Sequence, residues 1–143
     1  MRKSATRIFA GLILLFMIVG SCKKKTTTPP TPTPTPEANL VVTLTPPVNS
    51  VQPSAPQVDF PLTVAISSTM PPQGVTITIS VVRDDGSGTP AFFTNTTNSS
   101  NASNLFSITG TPVNILCLTT VTVTSRTKAT NTWSGTYRYS RKP

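Results

Sequence analysis

Residues 75–81 alternate strictly between branched apolar and small polar side chains, with Val or Ile at the odd positions and Thr or Ser at the even ones. Successive side chains of an extended strand point to opposite faces, so this pattern places every apolar group on one side. Similar alternation recurs at residues 60–66, 120–124 and 133–139, and no segment after residue 36 shows sustained helical periodicity. The chain therefore predicts antiparallel sheets with one buried face and one wet face.

Residues 37–143 are expected to form one all-β domain, because short runs rich in Val, Ile, Thr and aromatic residues are separated by Pro, Gly, Asn and Ser. The predicted strands cover residues 39–45, 58–67, 74–83, 91–96, 103–109, 114–125 and 131–140. This number of short strands favours a seven-stranded antiparallel Greek-key sandwich of two sheets, with an open barrel or a jelly-roll fragment as the alternative. In this architecture the domain resembles immunoglobulin-like (Ig-like) and fibronectin type III-like modules of bacterial surface proteins, although it lacks the Cys…Trp…Cys framework of antibody domains.

Three local features refine this prediction. Pro61 lacks an N–H, so its end of the second strand is expected at an edge or a bulge. The last two strands are expected to form a terminal hairpin joined by residues 126–130. Residues 94–103 contain three N-x-S/T matches, at Asn95, Asn98 and Asn101, and are interpreted as a polar loop.

The N-terminal residues have the features of a leader. Arg2, Lys3 and Arg7 precede or flank the start of an uncharged apolar run of 12 residues, 8–19. That length is typical of a signal peptide and falls well short of the roughly 20 residues that span a bilayer. The run ends in Val19-Gly20-Ser21-Cys22, which resembles the lipobox of bacterial lipoproteins: an aliphatic residue, two small residues and a cysteine.

This resemblance implies a specific chemistry at Cys22. In that family a diacylglycerol is joined to the Cys thiol through a thioether, the leader is cut just before this residue, and the new amino group is usually acylated. Carried over to this chain, residues 1–21 are the signal peptide and Cys22 is the lipidated N-terminus. Two or three acyl chains would anchor the protein stably, whereas one chain binds membranes only marginally. Gly20 is a mild departure, since Ala or Ser is commoner at that position.

Residues 22–36 form the predicted tether, in which three lysines precede the Thr/Pro run at residues 26–36. Proline fixes φ and removes backbone donors, so a polyproline II stalk of roughly 34 Å is expected, with a ligand for a Pro-recognition module as the alternative. The lysines are placed to interact with anionic headgroups, worth about 1 kcal/mol each near a surface. In the lipoprotein family an Asp directly after the Cys favours the inner membrane. Lys23 therefore favours the outer membrane, facing either the periplasm or the cell surface.

The net charge of +8 does not predict nucleic-acid binding. Six of the 12 basic residues precede residue 26, in the leader or beside the lipid. From residue 37 onward six basic residues face four acidic ones, which leaves +2 for the domain. These charged residues are Arg83, Arg126, Lys128, Arg138, Arg141 and Lys142, with Glu37, Asp59, Asp84 and Asp85. No basic helix or known nucleic-acid motif is present in the sequence, so nucleic acid is not an expected partner.

Composition also argues against catalysis and bound cofactors. The chain contains no histidine, which removes Ser-His-Asp and Cys-His triads and His-based metal sites. Asp84 and Asp85 precede Gly86-Ser87-Gly88 and are interpreted as a turn that closes the third strand, with a weak calcium site as the alternative. Cys117 lies in an apolar run and has no partner once Cys22 is alkylated, so a buried free thiol is expected. No catalytic residue, cofactor or metal site is predicted.

Trp133, Tyr137 and Tyr139 share one phase of the last predicted strand. On an exposed face they would contact a ligand and stack on a sugar ring, whereas on an inward face they belong to the core. Thr136 and Arg138 mark the other phase as wet, which favours a core position for the three aromatic residues.

The chain is predicted to be a membrane-anchored lipoprotein that is not an enzyme and displays its sandwich as a binding or structural module, with another envelope protein or a glycan as partner. The alternative is a carbohydrate-binding accessory lipoprotein that uses exposed aromatics.

Overall fold

The computed structural model describes residues 36–143, which contain seven β-strands and no α-helix. The predicted leader, Cys22 and nearly all of the tether lie outside the described residues. Within residues 36–143 no helix is long and apolar enough to cross a membrane. The strands are β1 (Val42–Thr45), β2 (Phe60–Ile66), β3 (Val75–Arg83), β4 (Phe93–Ser99), β5 (Ser103–Ile108), β6 (Leu116–Ser125) and β7 (Thr132–Ser140).

The strands form two antiparallel sheets that pack as a sandwich. Sheet A has the order β1-β2-β5, and sheet B has the order β4-β3-β6-β7. The chain changes sheet after β2, after β4 and after β5, so hairpins within a sheet alternate with crossings between the sheets. The predicted all-β, seven-stranded Greek-key sandwich is confirmed.

The core lies between the two sheets, where the alternating apolar residues of both inner faces meet. Leu62 and Val64 of β2 and Ile77 and Ile79 of β3 have no exposed surface. Burying each such side chain stabilises the fold by roughly 1.5–3 kcal/mol relative to leaving it exposed. The buried apolar residues are Leu40, Val42, Leu44, Phe60, Leu62, Val64, Ile66, Val75, Ile77, Ile79, Val81, Ile108, Cys117, Val121, Val123, Tyr137 and Tyr139.

Each predicted strand overlaps one observed strand, but the interpretation of residues 94–103 as a loop is wrong. Residues 94–99 belong to β4, and residue 103 begins β5. β4 pairs with β3 along its whole length, from Phe93 opposite Val81 to Ser99 opposite Val75. The Asn and Thr side chains of this segment indicate exposure, while the backbone groups that face β3 are paired in an ordinary ladder.

Pro61 lies at a local edge, as predicted. β2 is the central strand of sheet A, but β1 ends at Thr45, which pairs with Thr63. Pro61 pairs only with Ser107 of β5. Its missing N–H therefore costs the sheet no ladder hydrogen bond.

The outer edge of β7 is covered by the long connection between β1 and β2. Residues 49–55 run beside β7, and Val51 forms a parallel bridge to Arg138. The Gln52 N–H donates to the Arg138 carbonyl at 2.8 Å, and the Arg138 N–H donates to the Ser50 carbonyl at 2.9 Å. We call this the covered edge.

The sandwich has two poles that differ in which loops they carry. The chain enters β1 at the N-terminal pole, which also holds the loops at residues 67–74, 100–102 and 126–131. The opposite pole, which we call the cleft pole, holds the connection at residues 46–59, the loops at 84–92 and 109–115, and the C-terminus. The predicted terminal hairpin is confirmed, since β6 and β7 pair from residue 116 to residue 140 and turn at the N-terminal pole.

Candidate functional site

A cleft of about 260 Å³ opens at the cleft pole, between the end of β7, the start of β2 and the connection that precedes β2. Three prolines, three aromatic rings and two glutamine amides contribute to its walls. The lining residues are Pro46, Gln52, Pro53, Ala55, Gln57, Phe60, Pro61, Tyr137 and Tyr139. A concave, mostly apolar surface with a few polar groups is the usual form of a small-ligand site.

The floor of the cleft is a row of three aromatic rings. Phe60 and Tyr139 have ring centroids 4.4 Å apart, and Tyr137 and Tyr139 have centroids 6.0 Å apart. Tilted pairs at such distances add about 0.5–1.5 kcal/mol beyond the area that they bury. Tyr137 and Tyr139 are only 2% and 1% exposed. They therefore belong to the core and present little ring surface to the cleft, so they do not form an exposed stacking platform.

The two tyrosine hydroxyls differ in their partners. The Tyr139 hydroxyl and Thr111 Oγ1 form a buried hydrogen bond of 2.9 Å. The Tyr137 hydroxyl is buried without a hydrogen bond, and so is the hydroxyl of Thr119, the residue opposite Tyr137 in the β6–β7 ladder. An unsatisfied buried hydroxyl costs about 1–3 kcal/mol. Thr119 is still close enough to lower the pKa of Tyr137, so each of these two hydroxyls is the other's nearest candidate partner.

Both tyrosines are held in the neutral form. Burial raises the pKa of Tyr137, and the adjacent Thr119 hydroxyl offsets part of that rise. Burial raises the pKa of Tyr139 further, against the opposing effect of its hydrogen bond to Thr111. Neither phenol is a general base at neutral pH, so the cleft can bind but has no activated proton acceptor in these two groups.

Trp133 is placed apart from the two tyrosines. It is half-buried and packs over Gly135, where an added Cβ would lie 2.5 Å from the indole ring and 3.2 Å from Val48. It does not line the cleft. The structure thus brings together two of the three aromatic residues singled out in the sequence and packs the third against the edge of the hydrophobic core.

Sequence reasoning missed the other walls of the cleft. The alternation of residues 60–66 places Phe60 on a strand face, and residues 46–57 show no periodicity that predicts a wall. The signal was the spacing of five prolines between residues 46 and 61, since proline-rich segments form rigid, irregular walls rather than ladders.

Asp84 and Asp85 are adjacent in sequence but bind different partners. Asp84 Oδ2 accepts a hydrogen bond from Arg138 Nε at 2.5 Å. Asp85 Oδ1 accepts from the Ser87 N–H at 3.0 Å, and these Ser87 contacts lower the pKa of Asp85. That geometry is an Asx turn, in agreement with the turn interpretation. Within residues 36–143 no three His, Cys, Asp or Glu side chains are grouped so as to hold a metal ion.

Cys117 is a free, fully buried thiol in β6. Burial raises its pKa to about 11, with the nearby Arg83 opposing part of the shift. A thiol that stays protonated and inaccessible is a poor nucleophile. The predicted buried free cysteine is confirmed.

Comparison with protein-family models, with curated proteins and with solved structures finds no match for this chain. Its candidate site therefore rests on its own geometry.

Proposed function

We propose that this chain is a bacterial lipoprotein, anchored in the outer membrane through a lipid on Cys22, that displays its sandwich as a binding module and has no catalytic activity. The observation that carries the proposal is that the domain is attached at one pole and has its cleft at the other. The segment that follows the tether is fastened at one pole, and the cleft opens at the other.

The attachment of that segment depends on Asn131, in the turn between β6 and β7. Asn131 Oδ1 accepts a hydrogen bond from the Leu40 N–H at 3.0 Å. Its Nδ2 donates to the Ala38 carbonyl at 2.9 Å and to Glu37 Oε1 at 2.6 Å. Asn131 is only 8% exposed, so these bonds are shielded from water. Residues 37–40 are therefore fastened to the N-terminal pole.

The net charge is +1 at each pole, so the membrane side follows from where the chain enters, and the basic residues near that point are compatible with it. Arg126 and Lys128 lie in the turn between β6 and β7, next to the point where the chain enters. With the three lysines after Cys22, they would add to the attraction for anionic headgroups. The cleft lies at the pole opposite the attachment point, so the tether leaves it accessible to a partner.

A second candidate function is carbohydrate binding, and the lining of the cleft favours it. Gln52 and Gln57 supply amide donors and acceptors at the walls, above a floor that contains Phe60 and the two tyrosines. Sugar rings present hydroxyls, which match the glutamine amides, and apolar C–H faces, which match the proline walls of the cleft. The ligand would enter the cleft rather than lie on a flat aromatic face.

Metabolic labelling with a fatty-acid analogue tests the anchor. The wild-type chain is expected to take up the label and Cys22→Ser to lose it. Cys117→Ser is the matched control and should keep the label, because that thiol is buried in the folded domain. Label that persists in Cys22→Ser would contradict the proposed anchor.

A glycan array tests the second candidate. Gln57→Ala, at the cleft, is expected to weaken glycan binding while the circular dichroism spectrum stays unchanged. Gln73→Ala is the matched control, since this exposed residue lies at the opposite pole. Equal binding by all three proteins, or no binding by the wild type, would exclude the cleft as a glycan site.

A further inference from the structure

The outer edge of β4, which we call the open edge, is the counterpart of the covered edge at the other end of sheet B. β4 is the terminal strand of that sheet, and within residues 36–143 its one partner strand is β3. No loop backbone of the described domain hydrogen-bonds to residues 93–99. The outward N–H and C=O groups of β4 are therefore free to pair with another extended strand.

β4 also lacks the features by which proteins usually block a free edge. Charged side chains, prolines and bulges are the common devices. The seven residues of β4, Phe-Thr-Asn-Thr-Thr-Asn-Ser, include no charge and no proline. Their register with β3 is continuous, with no bulge. The sequence contains no charged residue between Asp85 and Arg126, so nothing along the neighbouring β5 compensates.

β5 of sheet A also has a free edge, and like β4 it carries no charged residue. β5 is the terminal strand of sheet A and follows β4 after a three-residue connection, 100–102, so the two edges lie on the same side. β5 carries Leu105, which at 77% is the most exposed large hydrophobic residue of the described domain. An uncharged side with an exposed leucine is suited to contact with protein rather than with bulk water.

We propose that β4 of one chain pairs antiparallel with β4 of a second copy, which joins two four-stranded sheets into one eight-stranded sheet. A two-fold interface brings the same strand together with itself, so any charge on it would meet a like charge. β4 has none. Threonine and asparagine face their own kind across such an axis, and Thr–Thr cross-strand pairs are favourable.

β4 fits this role better than the other free edges. β1 has only four residues, and the corresponding edge of sheet B on that side is the covered edge. β5 is shorter than β4, with six residues against seven. The longest uncovered ladder offers the most hydrogen bonds to a second strand.

A cysteine scan of the full-length chain in its membrane tests this pairing. Single cysteines are placed at each position from 94 to 98 and, for comparison, at Leu105 on β5. A two-fold axis perpendicular to the sheet puts one residue of β4 directly opposite itself, within the 4.4–6.8 Å that a disulfide spans between Cα atoms. Mild oxidation is expected to give disulfide-linked dimer at that position.

Thr78→Cys is the matched control, because Thr78 pairs with Thr96 but lies on β3, one strand inside the edge. In the proposed dimer two Thr78 positions are three strand spacings apart, about 14 Å, too far for a disulfide. The best edge position should exceed this control by about tenfold or more in dimer yield. Edge yields no higher than the control would overturn the proposal, as would cross-links to a different protein or a maximum at Leu105→Cys on β5.

A charge pair gives an independent measurement on the same chain. Thr96→Lys, at the centre of β4, is expected to weaken dimerisation several-fold, since a two-fold axis near the centre of the strand brings the two lysines together. Thr78→Lys adds the same charge to the same sheet away from the edge and should leave dimerisation unchanged. Sedimentation in mild detergent distinguishes the two, and equal effects of both variants would overturn the proposal.

Discussion

The two edges of sheet B are treated differently by the same chain. At the covered edge, residues 49–55 hydrogen-bond to β7, and Arg138 both donates to and accepts from this segment. At the open edge, β4 ends the sheet with an uncharged polar strand. The same irregular connection, residues 46–59, protects the covered edge and builds a wall of the cleft. The open edge has no such cover, and this is where pairing with a second copy is expected.

The largest expected difference is in the stability lost when a phenylalanine is truncated, at Phe60 beside the cleft or at Phe93 on the open edge. Phe60→Ala should lower the free energy of unfolding by about 3–5 kcal/mol, because the ring is 7% exposed and packs on Tyr139. Phe93→Ala, in the half-buried first position of β4, should cost clearly less, since less apolar area is lost. Urea unfolding of the two variants checks this. Equal losses would show that both sides of the sandwich are packed alike.

The pH dependence of stability should arise beside the covered edge. Tyr137 and Tyr139 have pKa values raised above their ordinary value of 10.0 by burial, so the folded state keeps protons that the unfolded state loses. Their stabilising effect is complete below pH 10 and declines as the pH rises beyond it, by up to about 1.4 kcal/mol per pH unit for each phenol. Cys117, raised from 9.0 to about 11, adds a decline that begins near pH 9.

Urea unfolding between pH 8 and pH 11 measures this decline, and Tyr137→Phe should make it shallower. Residues 93–108 contain no charged residue, so dimerisation through β4 should be constant between pH 6 and pH 8. A stability that rises above pH 10 would contradict the burial of the tyrosines.

A smaller effect is expected where Trp133 lies over Gly135. Gly135→Ala should destabilise the domain by roughly 1–3 kcal/mol, because the new Cβ would lie 2.5 Å from the indole ring. Ser134→Ala is the matched control on the exposed phase of β7 and should stay within about 0.5 kcal/mol of the wild type. Thermal unfolding of both variants measures the difference, and equal midpoints would mean that Trp133 is free to move away.

The smallest effect concerns the ion pair at the cleft pole. Asp84→Asn removes one charge of the Asp84–Arg138 pair, whose side chains are 31% and 42% exposed. Partly exposed pairs contribute about 0–1 kcal/mol, and salt screens them. The loss should therefore be below about 1 kcal/mol and vanish in high salt. A loss several times larger would show that this pair also holds the covered edge in place.

The sheets could be predicted from the sequence because their signal is local. Strict alternation at residues 75–81 identifies β3, and the phase of Phe106 and Ile108 identifies the inner face of β5, with Leu105 outside. The end of β4 was missed, since Asn and Ser in its second half also occur in loops. The parallel run of residues 49–55 along β7 was missed as well. It depends on backbone bonds between positions about 87 residues apart in sequence, and no side-chain periodicity records such bonds.

The candidate site was predictable only in part for the same reason. Periodicity placed Tyr137 and Tyr139 on one face and, together with the wet opposite phase, favoured the core. The cleft above them is made by prolines and glutamines of an irregular segment, whose path depends on the tertiary fold. Cys22 stays a prediction that rests on the lipobox resemblance.

Amide hydrogen exchange of the full-length chain at low and high protein concentration compares the two edges most directly. The Arg138 amide, bonded to Ser50, should be protected equally at both concentrations. The outward amides of β4 should exchange fast when the chain is dilute and become protected when it is concentrated. Fast exchange of β4 at every concentration, or protection of β4 that is already complete in dilute chains, would contradict an open edge that pairs with a second copy.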